Sequence, residues 1–339
     1  MEYSATPNLF PSPLSDMKER IIARIRPDLE RIEAEINRQL ATDVPHITVV
    51  SRHIMGSGGK RLRPLLMVLS SRMCGYLGDR DATLSIVFEF IHAASLLHDD
   101  VVDHAETRRN HPAANTIWGN SAVVLVGDYL YSKAILLAVG YNDIRILDVL
   151  SSATTTMSEG EVLQLAHADD MEIDEKEYLE VITRKTAVLI SAACRIGALF
   201  AGGSPAQESA LSDYGHNLGL AFQLIDDTLD YTGDTRELGK PVGNDIKEGK
   251  ATLPLICALR NAKPADRTFL RKAFSSQAME PAQFEAVKDL VHRTGGIEYT
   301  YQLAVQHVRN AKDALRIFPE SDTRELLCDL ADFVICRRT

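Results

Sequence analysis

Two acidic motifs of identical spacing constrain this 339-residue chain more than any other feature. Each motif places acids at positions i, i+1 and i+4: Asp99, Asp100 and Asp103 in the first, and Asp226, Asp227 and Asp230 in the second. The run before the first motif, residues 83–97, is mostly apolar and contains neither proline nor glycine. Residues four apart lie on one face of a helix, so the first and last acids of each motif project together.

Carboxylates clustered in this way need a compensating cation. Like charges repel, and burying them unpaired is costly. Oxygen ligands suit a hard divalent cation, and Mg²⁺ held by one or two carboxylates commonly shares substrate phosphates. One cluster alone is also compatible with a solvated helix end, because short motifs recur by chance. Two copies, each after an apolar helical run, favour two facing helices that hold several Mg²⁺ ions against a diphosphate.

The overall charge is acidic, with 47 Asp and Glu residues against 37 Lys and Arg residues and a formal net charge of −10. This balance argues against general nucleic-acid binding, which requires a basic footprint. It does not exclude a small anionic substrate, because the binding of such a substrate depends on the lysines and arginines around its site and not on the net charge. A hydrophobic content of 45% is ordinary for a globular protein and allows a substantial core.

Cysteine usage and the apolar runs bear on the cellular compartment. The cysteines are five, scattered and never spaced as CxxC: Cys74, Cys194, Cys257, Cys328 and Cys336. A disulfide framework or a zinc site is therefore not expected, and a reducing cytoplasm fits better. Charges at Asp128, Lys133 and Arg195 interrupt the longest apolar runs, so no transmembrane span of roughly 20 apolar residues is expected.

The first 15 residues differ from the rest of the chain. They contain three prolines, Pro7, Pro11 and Pro13, and no basic region followed by an apolar run. We expect a mobile lead-in at residues 1–15 rather than a signal peptide. From Asp16 onward, Ile and Leu recur at steps of three and four residues, which is typical of amphipathic helices. One domain is predicted for residues 16–339.

The remaining periodicity predicts an all-α protein, built as a single large helical bundle. Sustained alternation is rare, and neither Asn-Gly nor Asp-Gly marks a hairpin. Residues 121–139 begin like a strand at Val123–Val126 but continue with helical period, so a buried helix is predicted there. Residues 178–201 are predicted as one further helix, and residues 214–231 as the helix of the second acidic motif.

A glycine-rich basic stretch, Gly56–Pro64, contains Lys60, Arg61 and Arg63 at a predicted helix start. Glycines let the backbone approach a ligand closely, and free amides at a helix N-terminus favour anions. A flexible loop with solvated charges is the simpler interpretation of this stretch alone. As a basic segment in an acidic chain, it is a candidate diphosphate site, although its spacing is not that of a Walker loop.

Other candidate ligands lie near the acidic motifs. Arg108 and Arg109 follow the first motif, and arginine suits bidentate phosphate recognition. His92 lies seven residues before Asp99 on nearly the same helical face, although a lone histidine there is more often part of the core. Further candidates combine cations and polar groups with predicted helices or glycine-flanked loops: Lys185, Thr186, Gln223, Lys240 and Lys250. A surface lysine is the simpler alternative for Lys185.

The ordered set of these motifs resembles the trans-isoprenyl diphosphate (polyprenyl) synthase family. The resemblance rests on GGKRLRP at residues 58–64, LLHDDVVD at 96–103, the arginine pair at 108–109, and FQLIDDTLD at 222–230. It runs from about residue 16 to the C-terminus. It implies an α-helical bundle of the isoprenoid synthase type around a deep central cavity, usually as a homodimer. The reaction it implies is Mg²⁺-dependent, head-to-tail condensation of isopentenyl diphosphate with an allylic diphosphate.

The resemblance also assigns roles to the candidate residues. Mg²⁺, as three ions with substrate bound, would be held by Asp99, Asp103 and Asp226, with Asp100, Asp227 and Asp230 supporting. The allylic diphosphate would be held by Arg108, Lys185, Thr186, Gln223, Lys240 and Lys250. Isopentenyl diphosphate would be held by Lys60, Arg63, His92 and Arg109. The residues closest to catalysis would be Asp99, Asp103, Asp226, Lys185 and Arg108, because charge stabilisation of the leaving group is often the largest catalytic effect.

Two small residues bear on product length. Ala94 and Ser95 lie about one helical turn, roughly 5.4 Å, before the first motif. In the family that the chain resembles, bulky aromatics at this place accompany short products. Their absence predicts a long, octaprenyl-range product, with farnesyl or geranylgeranyl diphosphate as the alternative. Ala94 and Ser95 are also compatible with tight helix packing alone, in which case another helix supplies the cavity floor. Phe88, Ile91 and Leu150 are candidate deeper stops for the growing chain.

Three other functions fit the sequence less well. A terpene cyclase also uses Mg²⁺-binding acidic helices, but it has no use for the second, basic diphosphate site at residues 58–63. A noncatalytic partner subunit is disfavoured because both acidic motifs are intact. A purely structural helical bundle explains neither feature.

Overall fold

The computed structural model of this protein describes residues 14–109, 111–233, 243–274 and 280–336. Within these residues the prediction of an all-α bundle is confirmed. The α-helices are α1 (Leu14–Gln39), α2 (Pro45–Gly56), α3 (Leu62–Met73), α4 (Asp81–Val102), α5 (Ala114–Trp118), α6 (Asn120–Val139), α7 (Ile144–Ala166), α8 (Glu175–Ile182), α9 (Val188–Phe200), α10 (Pro205–Thr232), α11 (Asn244–Lys247), α12 (Leu253–Asn261), α13 (Pro264–Phe274), α14 (Pro281–Arg293), α15 (Gly296–Ala314) and α16 (Asp322–Cys336). A π-helical turn, Thr183–Ala187, joins α8 to α9, and a 3₁₀ turn, Leu315–Ile317, precedes α16.

Extended structure in the described residues is limited to one short antiparallel pair. Strand β1 (Thr107–Arg108) pairs with β2 (His111–Pro112), with Arg108 opposite His111. This pair follows directly on the first acidic motif. It therefore fixes the backbone of Arg108 close to the end of α4.

Local sequence signals fix the start of the helix that carries the second acidic motif. At the start of α10, the Ser204 hydroxyl accepts from the Gln207 N–H while the Gln207 side chain accepts from the Ser204 N–H. Pro205 occupies the first helical position, where its missing N–H costs nothing. The helix then continues for 28 residues and carries Asp226 into the middle of the molecule.

The centre of the bundle is packed closely around α9 and α10. Gly197 of α9 faces α3, and a Cβ there would lie 2.5 Å from the Met67 carbonyl oxygen. Gly215 of α10 faces α9, and its Cβ would lie 2.8 Å from the Ile190 carbonyl oxygen. The absence of these two side chains allows α3, α9 and α10 to pack against one another.

Helix α4 is surrounded by other helices and is apolar on nearly all sides, as expected for a core helix. Phe88 and Ile91 are fully buried in it. Because the apolar length of α4 is enclosed, its acidic end is held at a fixed position in the bundle.

The prediction for residues 121–139 was correct as a helix and wrong as a buried one. Only 33% of the apolar window of α6 is buried, and Leu125 and Leu136 are 67% and 64% exposed. Val162 and Leu165 of the neighbouring α7 are exposed as well. These four residues define an exposed apolar surface, the α6–α7 face. An apolar sequence is typical of burial, but in the single chain α6 packs mainly through one side, against α4.

The same helix bears on the expectation of no membrane span. Asp128 and Lys133 interrupt this apolar run, which is why no membrane span was expected. By length and composition alone, however, α6 is long and apolar enough to cross a membrane. Of the predicted lead-in, residues 1–13 lie outside the described residues, and α1 begins at Leu14. The domain of residues 16–339 stays a prediction.

Candidate active site

A cavity of about 620 Å³ lies at the centre of the bundle, between α3, α4, α7, α9, α10 and the π-helical turn. It brings together most of the residues that were predicted from distant parts of the sequence. Those that line it are Lys60, Arg63, His92, Ser95, Asp99, Arg109, Lys185, Thr186, Gln223 and Asp226. A second cavity of about 160 Å³ shares Lys185, Thr186 and Gln223 with it and is also lined by Asp227 and Lys250. Lys240 lies outside the described residues.

The first acidic motif ends α4 with three differently placed carboxylates. Asp99 lines the cavity, Asp100 is fully buried, and Asp103 is the residue that follows the last turn. Burial raises the pKa of Asp99 to about 6; nearby Lys185 opposes the rise, while Glu161 and Asp103 add to it. The ionised form of Asp99 is therefore disfavoured in the metal-free protein.

Cations from two other segments approach this motif. Arg108 donates through Nε to Asp100 Oδ1 at 2.6 Å, and its charge also opposes protonation of Asp99. Lys250 Nζ lies 3.7 Å from Asp103 Oδ2 and 2.7 Å from Glu248 Oε2. Burial raises the pKa of Asp100, and Arg108 limits that rise.

The second acidic motif is tied into a buried hydrogen-bond network. Asp227 accepts from the Tyr178 hydroxyl at 2.5 Å and from Gln223 Nε2 at 2.8 Å. Gln223 Oε1 in turn accepts from the Thr186 hydroxyl at 3.0 Å. Burial and the neighbouring Asp227 raise the pKa of Tyr178 well above its usual value, so the phenol stays a donor. The network fixes α10 against α8 and the π-helical turn, and leaves Asp226 facing the cavity.

Asp230 is placed as a support for the following loop. Its carboxylate is fully buried and accepts from the backbone N–H groups of Asn244 and Asp245 at 3.3 and 3.2 Å. Its carbonyl accepts from the Gly243 N–H at 3.0 Å. Asp230 therefore positions α11 and, beyond it, the Gly249-Lys250 pair.

The predicted continuous helix over residues 178–201 was wrong at one turn. The structure has α8, then the π-helical turn, then α9. The extra residue of a π-helical turn shifts the following side chains, and such turns are frequent at functional sites. Here the turn places Lys185 Nζ 2.6 Å from Glu161 Oε2, and Gly160 leaves room for the Lys185 backbone.

The basic stretch before α3 contains one structural arginine and two cavity cations. Arg61 has a left-handed backbone (φ 46°) and is buried, with Nη1 2.8 Å from Glu89 Oε1 and Nε 2.7 Å from Glu33 Oε1. Lys60 and Arg63 line the cavity instead. The buried Arg63 Nε has no hydrogen-bond partner in the described part of the chain.

Arg109 and His92 line the same cavity as this basic stretch. Burial, Arg63 and Arg109 lower the pKa of His92 well below its usual value, so its imidazole is neutral at pH 7. Burial and the neighbouring Arg109 also lower the pKa of Arg63. Cations that repel one another in this way are stabilised when an anion lies between them.

Four residues of the site had no predicted role. Glu89 neutralises Arg61, Glu161 pairs with Lys185, Tyr178 bonds Asp227, and Asp245 lines the smaller cavity. Glu89 was detectable as the residue one helical turn before His92. The Tyr178 contact spans 49 positions and has no local sequence signal.

The carboxylates suit a hard divalent cation whose remaining coordination positions are filled by oxygens of a bound ligand. In the described residues, no three His, Cys, Asp or Glu side chains form a ready metal cluster. Asp99 and Asp226 nevertheless line one cavity, and the buried Asp100 Oδ2 has no hydrogen-bond partner among the described groups. An oxygen-only ligand set with open positions suits Mg²⁺ that shares phosphate oxygens.

The apolar wall of the cavity bears on product length. Ser95 lines the cavity, whereas Ala94 is buried and does not. The apolar lining residues are Leu62, Leu96, Met157, Leu189, Ile190 and Phe222. Phe88, Ile91 and Leu150 are fully buried in the core and do not line it.

Comparison with known proteins gives close relatives over nearly the whole chain. A sequence model of the family described as polyprenyl synthetase matches residues 44–291. Octaprenyl diphosphate synthase from Escherichia coli (strain K12) is 41% identical over 94% of this chain and 98% of that protein. The short chain isoprenyl diphosphate synthase from Methanothermobacter thermautotrophicus is 40% identical over 88% of this chain and 94% of that protein.

Solved structures share the fold. Polyprenyl synthase from Caulobacter crescentus CB15, crystallised with calcium and isoprenyl diphosphate, matches with a TM-score of 0.90 and 42% identity. The match covers 95% of this chain and 98% of that one. The bundle described above is therefore the fold of these enzymes.

The raised pKa of Asp99 predicts a pH-dependent stability. Since the folded-state pKa, about 6, exceeds the usual 3.8, ionised Asp99 destabilises the metal-free fold increasingly as the pH rises from about 4 to 6. Asp99→Asn is therefore expected to stabilise the metal-free protein at pH 7 by at most about 3 kcal/mol. Urea unfolding in EDTA measures this difference, which should shrink between pH 6 and pH 4.

The exposed aspartate Asp148 provides the control. Asp148→Asn should leave the free energy of unfolding nearly unchanged across the same pH range. A stability difference between wild type and Asp99→Asn that is independent of pH would contradict the assigned electrostatic strain.

Proposed function

Because the chain belongs to the polyprenyl synthetase family, we propose that its central cavity condenses isopentenyl diphosphate head-to-tail with an allylic diphosphate. The product is an all-trans polyprenyl diphosphate. One observation carries the proposal: one carboxylate from each acidic motif, the cations Lys60, Arg63 and Arg109, and Lys185 line one cavity with an apolar wall, and Lys250 lines the smaller cavity that shares Lys185 with it. Two diphosphates and a growing hydrocarbon chain require this combination.

The two groups of cations bind the two substrates. Lys185, Arg108 and Lys250, with Thr186 and Gln223, hold the allylic diphosphate near the carboxylates, and we expect Lys240 to join them. Lys60, Arg63 and Arg109 hold isopentenyl diphosphate, with neutral His92 as a hydrogen-bonding partner. Bound Mg²⁺, proposed as three ions on Asp99, Asp103 and Asp226, supplies positive charge to the departing diphosphate.

The reaction needs charge stabilisation more than a protein nucleophile. As the allylic C–O bond breaks, Lys185 and Arg108 stabilise the negative charge that develops on the leaving diphosphate. The double bond of isopentenyl diphosphate attacks the allylic carbon, and a proton then leaves the condensed product. Leu189, Ile190 and Phe222 exclude water from the carbocation. The buried network of Tyr178, Asp227 and Gln223 keeps the reacting groups oriented.

A terpene cyclase remains the rival within the same chemistry. It would bind one diphosphate and would leave Lys60, Arg63 and Arg109 without a ligand. The net positive wall around His92 favours a second anionic substrate and hence chain elongation.

Separate substrate sites predict separable kinetic effects. Arg63→Ala should raise the KM for isopentenyl diphosphate by about tenfold or more, with a smaller change for the allylic substrate. Lys185→Ala should do the reverse and also lower kcat, because its charge acts on the leaving group. Steady-state kinetics with each substrate varied in turn measure both effects.

Arg145→Ala is the control. Arg145 is exposed at the start of α7 and pairs only with Asp143 in the described contacts, so its loss should change neither KM nor kcat. Equal losses for both substrates in both cavity variants would contradict two distinct binding sites.

A long-chain product is proposed from the relatives and from the cavity wall. The octaprenyl diphosphate synthase match covers 94% of the chain, the short chain match 88%. Product analysis by chromatography, from farnesyl diphosphate with excess isopentenyl diphosphate, should give octaprenyl-range chains. Ser95→Phe should shorten them because the new ring enters the cavity.

Ser209→Phe, at an exposed position of α10, provides the control and should leave product length unchanged. Ala94→Phe tests whether the buried neighbour acts indirectly through helix packing. A wild-type enzyme that stops at farnesyl or geranylgeranyl diphosphate would contradict the long-chain assignment.

We further propose that the protein is a cytoplasmic homodimer that buries the α6–α7 face. Leu125 and Leu136, eleven residues apart, lie on one side of α6, and an exposed apolar surface of this kind marks an interaction site. Leu136→Glu should convert the dimer to a monomer in light scattering, whereas Leu77→Glu, at a 92% exposed position elsewhere, should not. A wild-type monomer would refute this part of the proposal.

A further inference from the structure

His98 lies directly before Asp99 in the last turn of α4 but does not line the catalytic cavity. Consecutive residues of an α-helix point about 100° apart, so these two side chains face different neighbours. Asp99 lines the catalytic cavity, whereas the His98 ring lies against α6, the helix that packs mainly against α4. The residue before the first acidic side chain of the site is therefore in contact with a second helix.

The His98 imidazole is hydrogen-bonded to the backbone of α6. Its Nε2 donates to the Val124 carbonyl oxygen at 3.2 Å and lies 3.4 Å from Asp128 Oδ1. A carbonyl oxygen only accepts, so Nε2 must carry a proton in this contact. The Asp128 side chain is 61% exposed, whereas the Val124 carbonyl belongs to a helix backbone. The carbonyl is therefore the fixed partner of the ring.

Gly127 leaves room for this contact. A Cβ at position 127 would lie 2.3 Å from His98 Nε2 and 2.7 Å from its Cδ2. Nonbonded heavy atoms are at optimal separation near 3.5–4.0 Å, so any larger residue at this position would displace the ring. Gly127 is buried in the interior of α6, where glycine is less stable than alanine. The approach of His98 gives a physical reason for glycine here.

The last turn of α4 is also held through Asp100. The Asp100 carboxylate accepts from Arg108, and its backbone carbonyl accepts from Asn115 Nδ2 at 2.9 Å. None of these contacts uses an oxygen of the Asp99 carboxylate. Ionised Asp99 is disfavoured where it lies, so a turn that is free to move would carry it away from the cavity. Contacts made by its neighbours hold Asp99 in place and leave its oxygens for a metal ion.

We propose that His98 is a positioning residue for the first metal-binding carboxylate, because its bond to α6 fixes the last turn of α4 with Asp99 directed into the cavity. The inference rests on the proposed function, which makes Asp99 a ligand of Mg²⁺. Loss of a residue that orients a metal ligand typically costs roughly 10–100-fold in metal affinity. Loss of the His98 ring should therefore weaken metal binding without removing any ligand.

The test measures metal binding without turnover. Mn²⁺ is titrated into the full-length protein with farnesyl S-thiolodiphosphate, an allylic analogue that does not ionise readily, and free Mn²⁺ is measured by electron paramagnetic resonance. His98→Ala should weaken Mn²⁺ binding about tenfold. His98→Gln should bind Mn²⁺ nearly as wild type does, because glutamine Nε2 donates to the same carbonyl. His292→Ala, at an exposed position of α14, is the matched control and should change nothing.

Gly127→Ala tests the same contact without changing the histidine. The new methyl group should displace the ring and weaken Mn²⁺ binding about as much as His98→Ala does. The free energy of unfolding, measured in urea, should not fall, because alanine stabilises a helix interior relative to glycine. In the double variant there is no ring to displace, so the effects of His98→Ala and Gly127→Ala on Mn²⁺ binding should not add.

Hydrogen exchange in EDTA reports on the turn itself. The Asp103 N–H donates to the Asp99 carbonyl at 2.8 Å and closes the last turn of α4. Its exchange should be faster in His98→Ala and in Gly127→Ala than in wild type. In turnover, both variants should require more Mg²⁺ for half-maximal activity, whereas the KM for isopentenyl diphosphate should stay nearly unchanged.

Three results would overturn the inference: Mn²⁺ binding that His98→Ala weakens no more than His292→Ala does, binding that His98→Gln fails to restore, or effects of His98→Ala and Gly127→Ala that add in full. Turnover on the same preparations separates this inference from the proposed function. The expected pattern of Mn²⁺ binding without any polyprenyl product would refute the enzyme assignment and support the positioning role.

Discussion

The structure depends on one electrostatic constraint: carboxylates are held at the end of an enclosed apolar helix, where they repel one another. Burial, Glu161 and Asp103 all disfavour ionised Asp99, and Lys185 offsets them only in part. Under the proposed function, bound Mg²⁺ ions supply the positive charge that relieves this repulsion, and a diphosphate completes their ligands. Binding and catalysis then draw on the same interaction, because the charge that stabilises the bound diphosphate also stabilises it as it departs.

The surrounding residues hold the carboxylates in place and give the cavity two sides of different charge. On one side, Arg61 is neutralised by Glu33 and Glu89, whereas Lys60, Arg63 and Arg109 line the cavity. On the other side, Tyr178 and Gln223 fix Asp227, so that Asp226 alone of that motif lines the large cavity. Under the proposed function, this division gives the two diphosphates, which differ only in their hydrocarbon parts, separate places in one cavity.

Much of this was predictable from sequence, and the failures have physical causes. The hydrophobic periodicity predicted the helical bundle, and the i, i+1, i+4 spacing predicted both acidic motifs, because local helical geometry determines which side chains project together. The π-helical turn at Thr183–Ala187 was missed because its extra residue is stabilised by packing against Gly160, a contact outside the local sequence. Glu89 and Tyr178 were missed because their partners, Arg61 and Asp227, lie 28 and 49 positions away. The exposure of α6 was missed because an apolar pattern alone does not show which of its residues are buried within the chain.

The most direct test is the position of bound metal. Crystals grown with Mn²⁺ and a non-reactive allylic diphosphate analogue would locate the ions by anomalous scattering. The account predicts ions that contact both Asp99 and Asp226 through a shared diphosphate, with Lys185 and Arg108 on its outer oxygens. Ions bound to one motif alone, or a diphosphate bound away from both, would contradict it.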